Sequence, residues 1–152
     1  MSRFVALLAM VVASVSLVVS APASADSRYG KQKVVYHINY DGGSDDKPYL
    51  KALKNVQNHI NAVGKDNIEV RIVLHGDGVY MLRDAVKNLK LQGAVTNLKT
   101  QKVAFNVCAN TLKGRKLDPD KDLFEVFKED IVPSGVAELS YLQGQGFTYV
   151  KP

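Results

Sequence analysis

The one thiol of this chain, Cys108, follows the apolar run Lys102 to Val107 and precedes a stretch that can open a helix. A cysteine at such a junction meets free backbone N–H groups and the positive end of a helix dipole, which stabilise the thiolate. The thiolate is the form that attacks sulfur electrophiles and carries a persulfide. Free cysteines are also among the most buried side chains, acting as small hydrophobes. Position alone leaves both roles open. His75 ends a second apolar run, so its imidazole is a candidate for lowering the Cys108 pKa or shuttling a proton, against the alternative of a hydrogen-bonded structural histidine. Backbone N–H groups near Asn110 are the expected support for the thiolate.

Gly76-Asp77-Gly78 follows His75 and occupies the same kind of strand end, which makes Gly76, Asp77 and Gly78 candidate binding residues. The turn has neither G-x-G-x-x-G nor P-loop spacing, so nucleotide binding is not expected. Positive φ and tight strand-to-helix packing explain the glycines more simply, and N-capping of the next helix explains Asp77. Cys108, His75 and His37 could together hold a soft metal ion, but they come from three elements without signature spacing, so neither metal nor other cofactor is expected. His37 and Asn39 share one face of a strand and read as core or sheet-edge residues, and His59 falls on the polar side of a helix. No Gly-x-Ser-x-Gly elbow or serine triad spacing occurs.

With one cysteine among 152 residues, an intramolecular disulfide, a zinc finger and a protein-ligated iron–sulfur centre are excluded within one subunit. The 20 basic and 15 acidic residues are interleaved, as Lys87, Lys90, Lys99 and Lys102 are followed by Asp118, Asp120 and Asp122. That pattern describes a mixed solvated surface rather than a nucleic-acid patch. Residues 1–25 read as a secretory signal peptide, with Arg3 as the basic region, Phe4 to Val19 as the apolar core and Ala23-Ser24-Ala25 at the cleavage positions. The apolar run is short for a membrane span. The expectation is a periplasmic chain starting at Asp26, with a polar leader over 26–32, an ordered domain over 33–152 and no stable membrane insertion.

Lys33 to Tyr40, Ile68 to His75 and Lys102 to Val107 are rich in β-branched, aliphatic and aromatic residues and predict strands, joined by a very short Ile131-Val132 and by Phe147 to Val150. Tyr49, Leu50, Leu53, Val56, Ile60 and Val63 recur at spacings of 3 and 4, predicting a helix capped by Asp46 and stopped at Gly64. Val79, Leu82, Val86 and Leu89 predict a second helix ending at Gly93, with a short turn or helix over 94–100. A helical piece from Asn110, one or two turns from Asp118 through Leu123 and Phe127, and a Ser134-capped helix carrying Val136, Leu139 and Leu142 complete the pattern. Five strands alternating with helices imply a single three-layer α/β domain, a mostly parallel sheet with helices on both faces in flavodoxin-like layering. Ligand or reaction sites in such sheets lie beyond the carboxyl ends of the strands.

Three segments in order carry a family resemblance. Ala104 to Leu117 (AFNVCANTLKGRKL) resembles the active-cysteine segment of the DsrE/DsrF-like and TusD-like sulfur-carrier proteins. Leu74 to Leu82 (LHGDGVYML) is similar to their second strand-turn-helix, and VPSGVAELSYLQGQGFTYVKP resembles the tail of exported members. The resemblance implies a compact α/β domain, assembly into homotrimers or homohexamers, and a persulfide on Cys108 passed to a partner protein. The function expected is sulfur trafficking between a donor such as a polysulfide and an acceptor protein; the alternative is an oligomeric small-ligand or metal-binding α/β module with an inert structural Cys108.

Overall fold

Runs of β-branched, aliphatic and aromatic side chains at Gln32–Ile38 (β1), Ile68–Leu74 (β2) and Ala104–Cys108 (β3) form the centre of a parallel sheet in the computed structural model, which describes residues 28–152. Ile131–Val132 (β4) and Thr148–Val150 (β5) are its short edges. The order is β4-β3-β2-β1-β5, and every neighbouring pair is parallel. The expected α/β architecture is therefore present, with a sheet that is wholly rather than mostly parallel. The segment read as a signal peptide lies outside the described residues. No helix among the described residues is long and apolar enough to cross a membrane.

The connections account for the layering. From β1 to β4 the chain steps along the sheet in one direction, through Lys47–Val63 (α1), Tyr80–Asp84 (α2), Leu89–Thr100 (α3), Ala109–Arg115 (α4) and Pro119–Asp122 (α5). From β4 it returns across the whole sheet to the far side of β1, through Gly135–Gly144 (α6). Parallel crossovers keep one hand, so reversing the direction of travel moves the helix to the other face. The main core accordingly joins Val34, Tyr36, Ile38, Ile72 and Phe105 to Tyr49, Leu53 and Val56 of α1 and Leu91 and Val95 of α3. On the opposite face a smaller cluster among the described residues joins Val35 and Val73 to Leu139 and Leu142 of α6 and the nearby Phe147.

Helix α1 forms where its apolar spacing predicts, and Gly64 at φ 89° closes it by donating its N–H to the Ile60 carbonyl at 2.8 Å. Asp46 does not cap it. Its backbone is left-handed, and its carboxylate instead accepts from the Asn88 side chain at 2.8 Å, tying the start of α1 to the start of α3. The second predicted helix is divided: α2 stops at Asp84, and Asn88 caps a new helix by accepting from the N–H groups of Lys90 and Leu91. Gly93 lies inside α3, where it faces open space, and Val86 and Leu89 of the supposed apolar stripe are exposed. The turn from Asp118 ends at Asp122, and Phe127 lies beyond it and is exposed. Within α6, Leu139 and Leu142 face inward but Val136 faces solvent. Gln32, placed in the leader, is the first residue of β1. His59 is half-buried rather than a surface residue, its ring bridging the Tyr36 hydroxyl at 2.9 Å and the Gln32 side-chain oxygen at 2.8 Å.

Candidate functional site

Side chains alternate along a strand, so one face collects every second residue. Val35 and Val73 lie under α6, and the pairing of His37 with Val73 and of Val73 with Asn106 puts His37 and Asn106 on that same face. One pleat further on come His75 and Cys108, at the carboxyl ends of β2 and β3. The thin face thus carries the chemistry-bearing residues. Asn106 is buried there, and its Oδ1 has no hydrogen-bond partner.

Cys108 ends β3 and stands at the N-cap position of α4 in extended backbone geometry. It is a free thiol, 5% exposed. Burial pushes its pKa up, but the Thr111 hydroxyl and the N–H groups of Gly135, Thr111 and Asn110 oppose this, and the net result lies below the ordinary thiol value. Asn110, expected to support the thiolate, lies in the first turn of α4, next but one after Cys108. Thr111 and Gly135 are additions from the structure. Thr111 Oγ1 accepts the Gly76 N–H at 3.0 Å, which leaves the hydroxyl proton available to the sulfur. That accounts for Gly76, whose left-handed backbone at φ 54° directs its N–H toward α4.

Gly135 touches both candidate residues. Its N–H serves Cys108, and a Cβ on it would stand 2.8 Å from the His75 Cβ and 3.2 Å from two ring carbons. Only glycine lets the start of α6 settle this close to the sheet. His75 hydrogen-bonds His37 rather than Cys108: the two Nε2 atoms are 2.6 Å apart and the rings are stacked with centroids at 4.7 Å. The other nitrogen of His37, Nδ1, meets the Tyr149 hydroxyl of β5 at 2.7 Å. Burial, then the charges of His75 and Lys151, lowers the His37 pKa to about 4; burial and Lys151 also lower that of His75. Both rings are therefore neutral at pH 7. Among the described residues no group of three His, Cys, Asp or Glu side chains is placed to hold a metal ion.

Asp77 and Gly78 have structural tasks. The Asp77 carboxylate pairs with Arg115 of α4 at 2.6 Å, and its carbonyl accepts the Tyr49 hydroxyl at 2.6 Å, so it does not cap a helix as expected. Arg115 also bonds the Tyr80 hydroxyl, and the Tyr80 ring lies within cation–π reach of both Arg83 and Arg115. Gly78 lies against β1, where any side chain would collide with the Ile38 carbonyl. The loop after β2 is thus pinned to α1, β1 and α4, which fixes where His75 and Gly76 sit relative to Cys108.

The DsrE/DsrF-like family model matches residues 33–152, the whole of the sheet after Gln32 and all of its helices. This chain belongs to the DsrE/DsrF-like family. No curated protein matches it. Among solved structures this DsrE/DsrF-like protein is similar to MTH1491 from Methanobacterium thermoautotrophicum, a protein of unknown function, at 30% identity and a TM-score of 0.66 over 80% of this chain and 100% of that one. The neighbour supports the fold; family membership directs attention to Cys108.

Proposed function

We propose that this DsrE/DsrF-like protein is a sulfur carrier in which Cys108 accepts a sulfane sulfur from a polysulfide-like donor, holds it as a persulfide and passes it to an acceptor protein. The observation that carries the reading is the place of Cys108 at the N-cap of α4 and beside the start of α6, where the Thr111 hydroxyl and the N–H groups of Asn110, Thr111 and Gly135 hold its pKa below the ordinary thiol value. A purely structural thiol needs no such donors, whereas a thiolate or persulfide anion is stabilised by them. The proposed setting is the periplasm, after cleavage behind Ala25, as a homotrimer or homohexamer.

The low exposure of Cys108 favours a second reading, an inert core thiol within a ligand-binding module. The two readings diverge in one measurement. The folded protein is incubated with sodium polysulfide and its intact mass recorded, with Cys108→Ser in parallel. The carrier gains sulfur that a thiol reductant removes, and the serine variant gains none. Sulfur uptake by the parent only after denaturation assigns the inert role. Fractionation and light scattering on the native protein test the compartment and the assembly, a membrane-held full-length chain or a monomer at micromolar concentration being the contrary results.

A further inference from the structure

The chain of hydrogen bonds from Tyr149 through His37 to His75 has a property that its individual members lack. A proton must lie between the two Nε2 atoms, 2.6 Å apart, and with both rings neutral each carries a single N–H. If His37 holds the shared proton, its Nδ1 is bare and accepts the Tyr149 O–H, while His75 keeps its own proton on Nδ1. If His75 holds the shared proton, its Nδ1 is bare, and His37 donates from Nδ1 to the Tyr149 oxygen. No third neutral arrangement satisfies all the contacts. When Nδ1 of His75 gives up its proton, one proton moves along each link and the Tyr149 oxygen takes a replacement from water; the pair stays neutral, and Nδ1 of His75 changes from a donor into a base. That atom has no hydrogen-bond partner among the described residues, and the pairing of Leu74 with Val107 sets His75 beside Cys108 on the same face. At the other end, Tyr149 is 40% exposed and can exchange protons with water.

We infer that Tyr149, His37 and His75 form a two-state proton relay that makes Nδ1 of His75 the acid for sulfur loading and the base for sulfur release. The inference rests on the carrier reading of Cys108. In loading, the Cys108 thiolate attacks the terminal sulfur of a hydrogen polysulfide. A bond forms to that sulfur, the adjacent S–S bond breaks, and its electron pair leaves on the shortened polysulfide, which takes the Nδ1 proton. In release, Nδ1 removes the proton of an acceptor thiol. The resulting thiolate attacks the outer sulfur, and the electron pair of the broken bond returns to Cys108. One sulfane sulfur moves in each step, and no external oxidant or reductant enters. The groups around the relay favour a neutral pair: Lys151 on the C-terminal tail disfavours added positive charge, and Tyr149 on β5 serves as donor or acceptor. His75 is the acid–base residue, and His37 and Tyr149 are positioning residues that act through it.

The test follows polysulfide loading of the whole protein by rapid mixing across pH 5.5 to 9, in light and heavy water, for the parent, Tyr149→Phe and His37→Gln. General acid–base catalysis contributes roughly 100- to 10,000-fold where fully developed, so losing the relay lowers the loading rate near pH 6.5 by at least about tenfold and removes the solvent isotope effect. Nitrogen-15 spectra of the same proteins report the tautomer of His75, which changes when the Tyr149 hydroxyl is removed. Circular dichroism confirms that the variants are folded, and the parent spectrum by itself shows whether a proton bridges the two Nε2 atoms. Unchanged rates, isotope effect and tautomer in folded variants that still load Cys108 overturn the relay and leave the carrier standing. A parent that takes up no sulfur removes the carrier; the spectra then decide the relay, which an unbridged pair or an unchanged tautomer overturns.

Discussion

On the face covered by α1 and α3, Ile38, Ile72 and Phe105 of the central strands meet Tyr49, Val56, Leu91 and Val95, each essentially sealed from water. On the face covered by α6, the same strands carry His37, His75, Asn106 and Cys108, and the helix offers two buried leucines. Burial of apolar surface scales with area, so the first face supplies most of the stability and the second tolerates polar groups that a full core would exclude. The division follows from the order of the strands. Three crossovers build one layer, a single return builds the other, and the thinner layer is the one that carries the polar and thiol side chains.

Truncating the main core gives the largest expected effect. Phe105→Ala should cost about 3–5 kcal/mol in urea unfolding, while Leu142→Ala under the single helix should cost about 2 kcal/mol, because a thin layer collapses more readily. Equal costs would show that the two faces contribute alike. Gly135→Ala comes next, at about 1–3 kcal/mol from forcing a methyl against His75, and it should also change the rate of Cys108 alkylation, since the N–H that serves the sulfur moves with the helix. Unaltered alkylation kinetics would break the link between α6 and the thiol.

Acid should act through the thin face. His37 is held at about 4, below the ordinary 6.5, so the unfolded chain takes up its proton first as pH falls. That contribution is full above about pH 6.5 and declines toward pH 4, by on the order of 1 kcal/mol once solvent screening is allowed for. Urea midpoints at pH 7 and 4.5 should therefore draw together in His37→Gln. The smallest effect is expected of Cys108→Ser, within about 0.5 kcal/mol, since a near-isosteric hydroxyl can use the same donors. A loss of several kcal/mol would make the thiol a core residue first.

The strands and α1 were legible because period and composition agree there, and Cys108 and His75 were legible because they end such runs. The division between α2 and α3 was not. Val86 and Leu89 keep helical spacing but are exposed, and Gly93, which looks like a stop, sits harmlessly on an open helix surface. Asn88, a good N-cap residue three places before Leu91, was the available signal. Thr111 could have been found as the third residue after an N-cap cysteine. Asp46 and Asp77 misled because both are fit to cap locally and both are claimed by distant partners, Asn88 and Arg115. Gly135, His37 and Tyr149 meet their partners across 27 to 112 positions of sequence, a separation that local pattern does not report.

The return crossover also sets a chronology. Asn110, Thr111, His37 and His75 lie before or close to Cys108 in sequence, whereas the Gly135 amide and the Tyr149 hydroxyl that complete the site are translated well after it. A polypeptide that ends before α6 already contains Cys108 and the donors of α4, but has neither the Gly135 amide nor the outer end of the proton chain. Full chemical competence therefore arrives only once α6 and β5 have joined the sheet, and a product broken before α6 would carry the thiol with part of its surroundings missing.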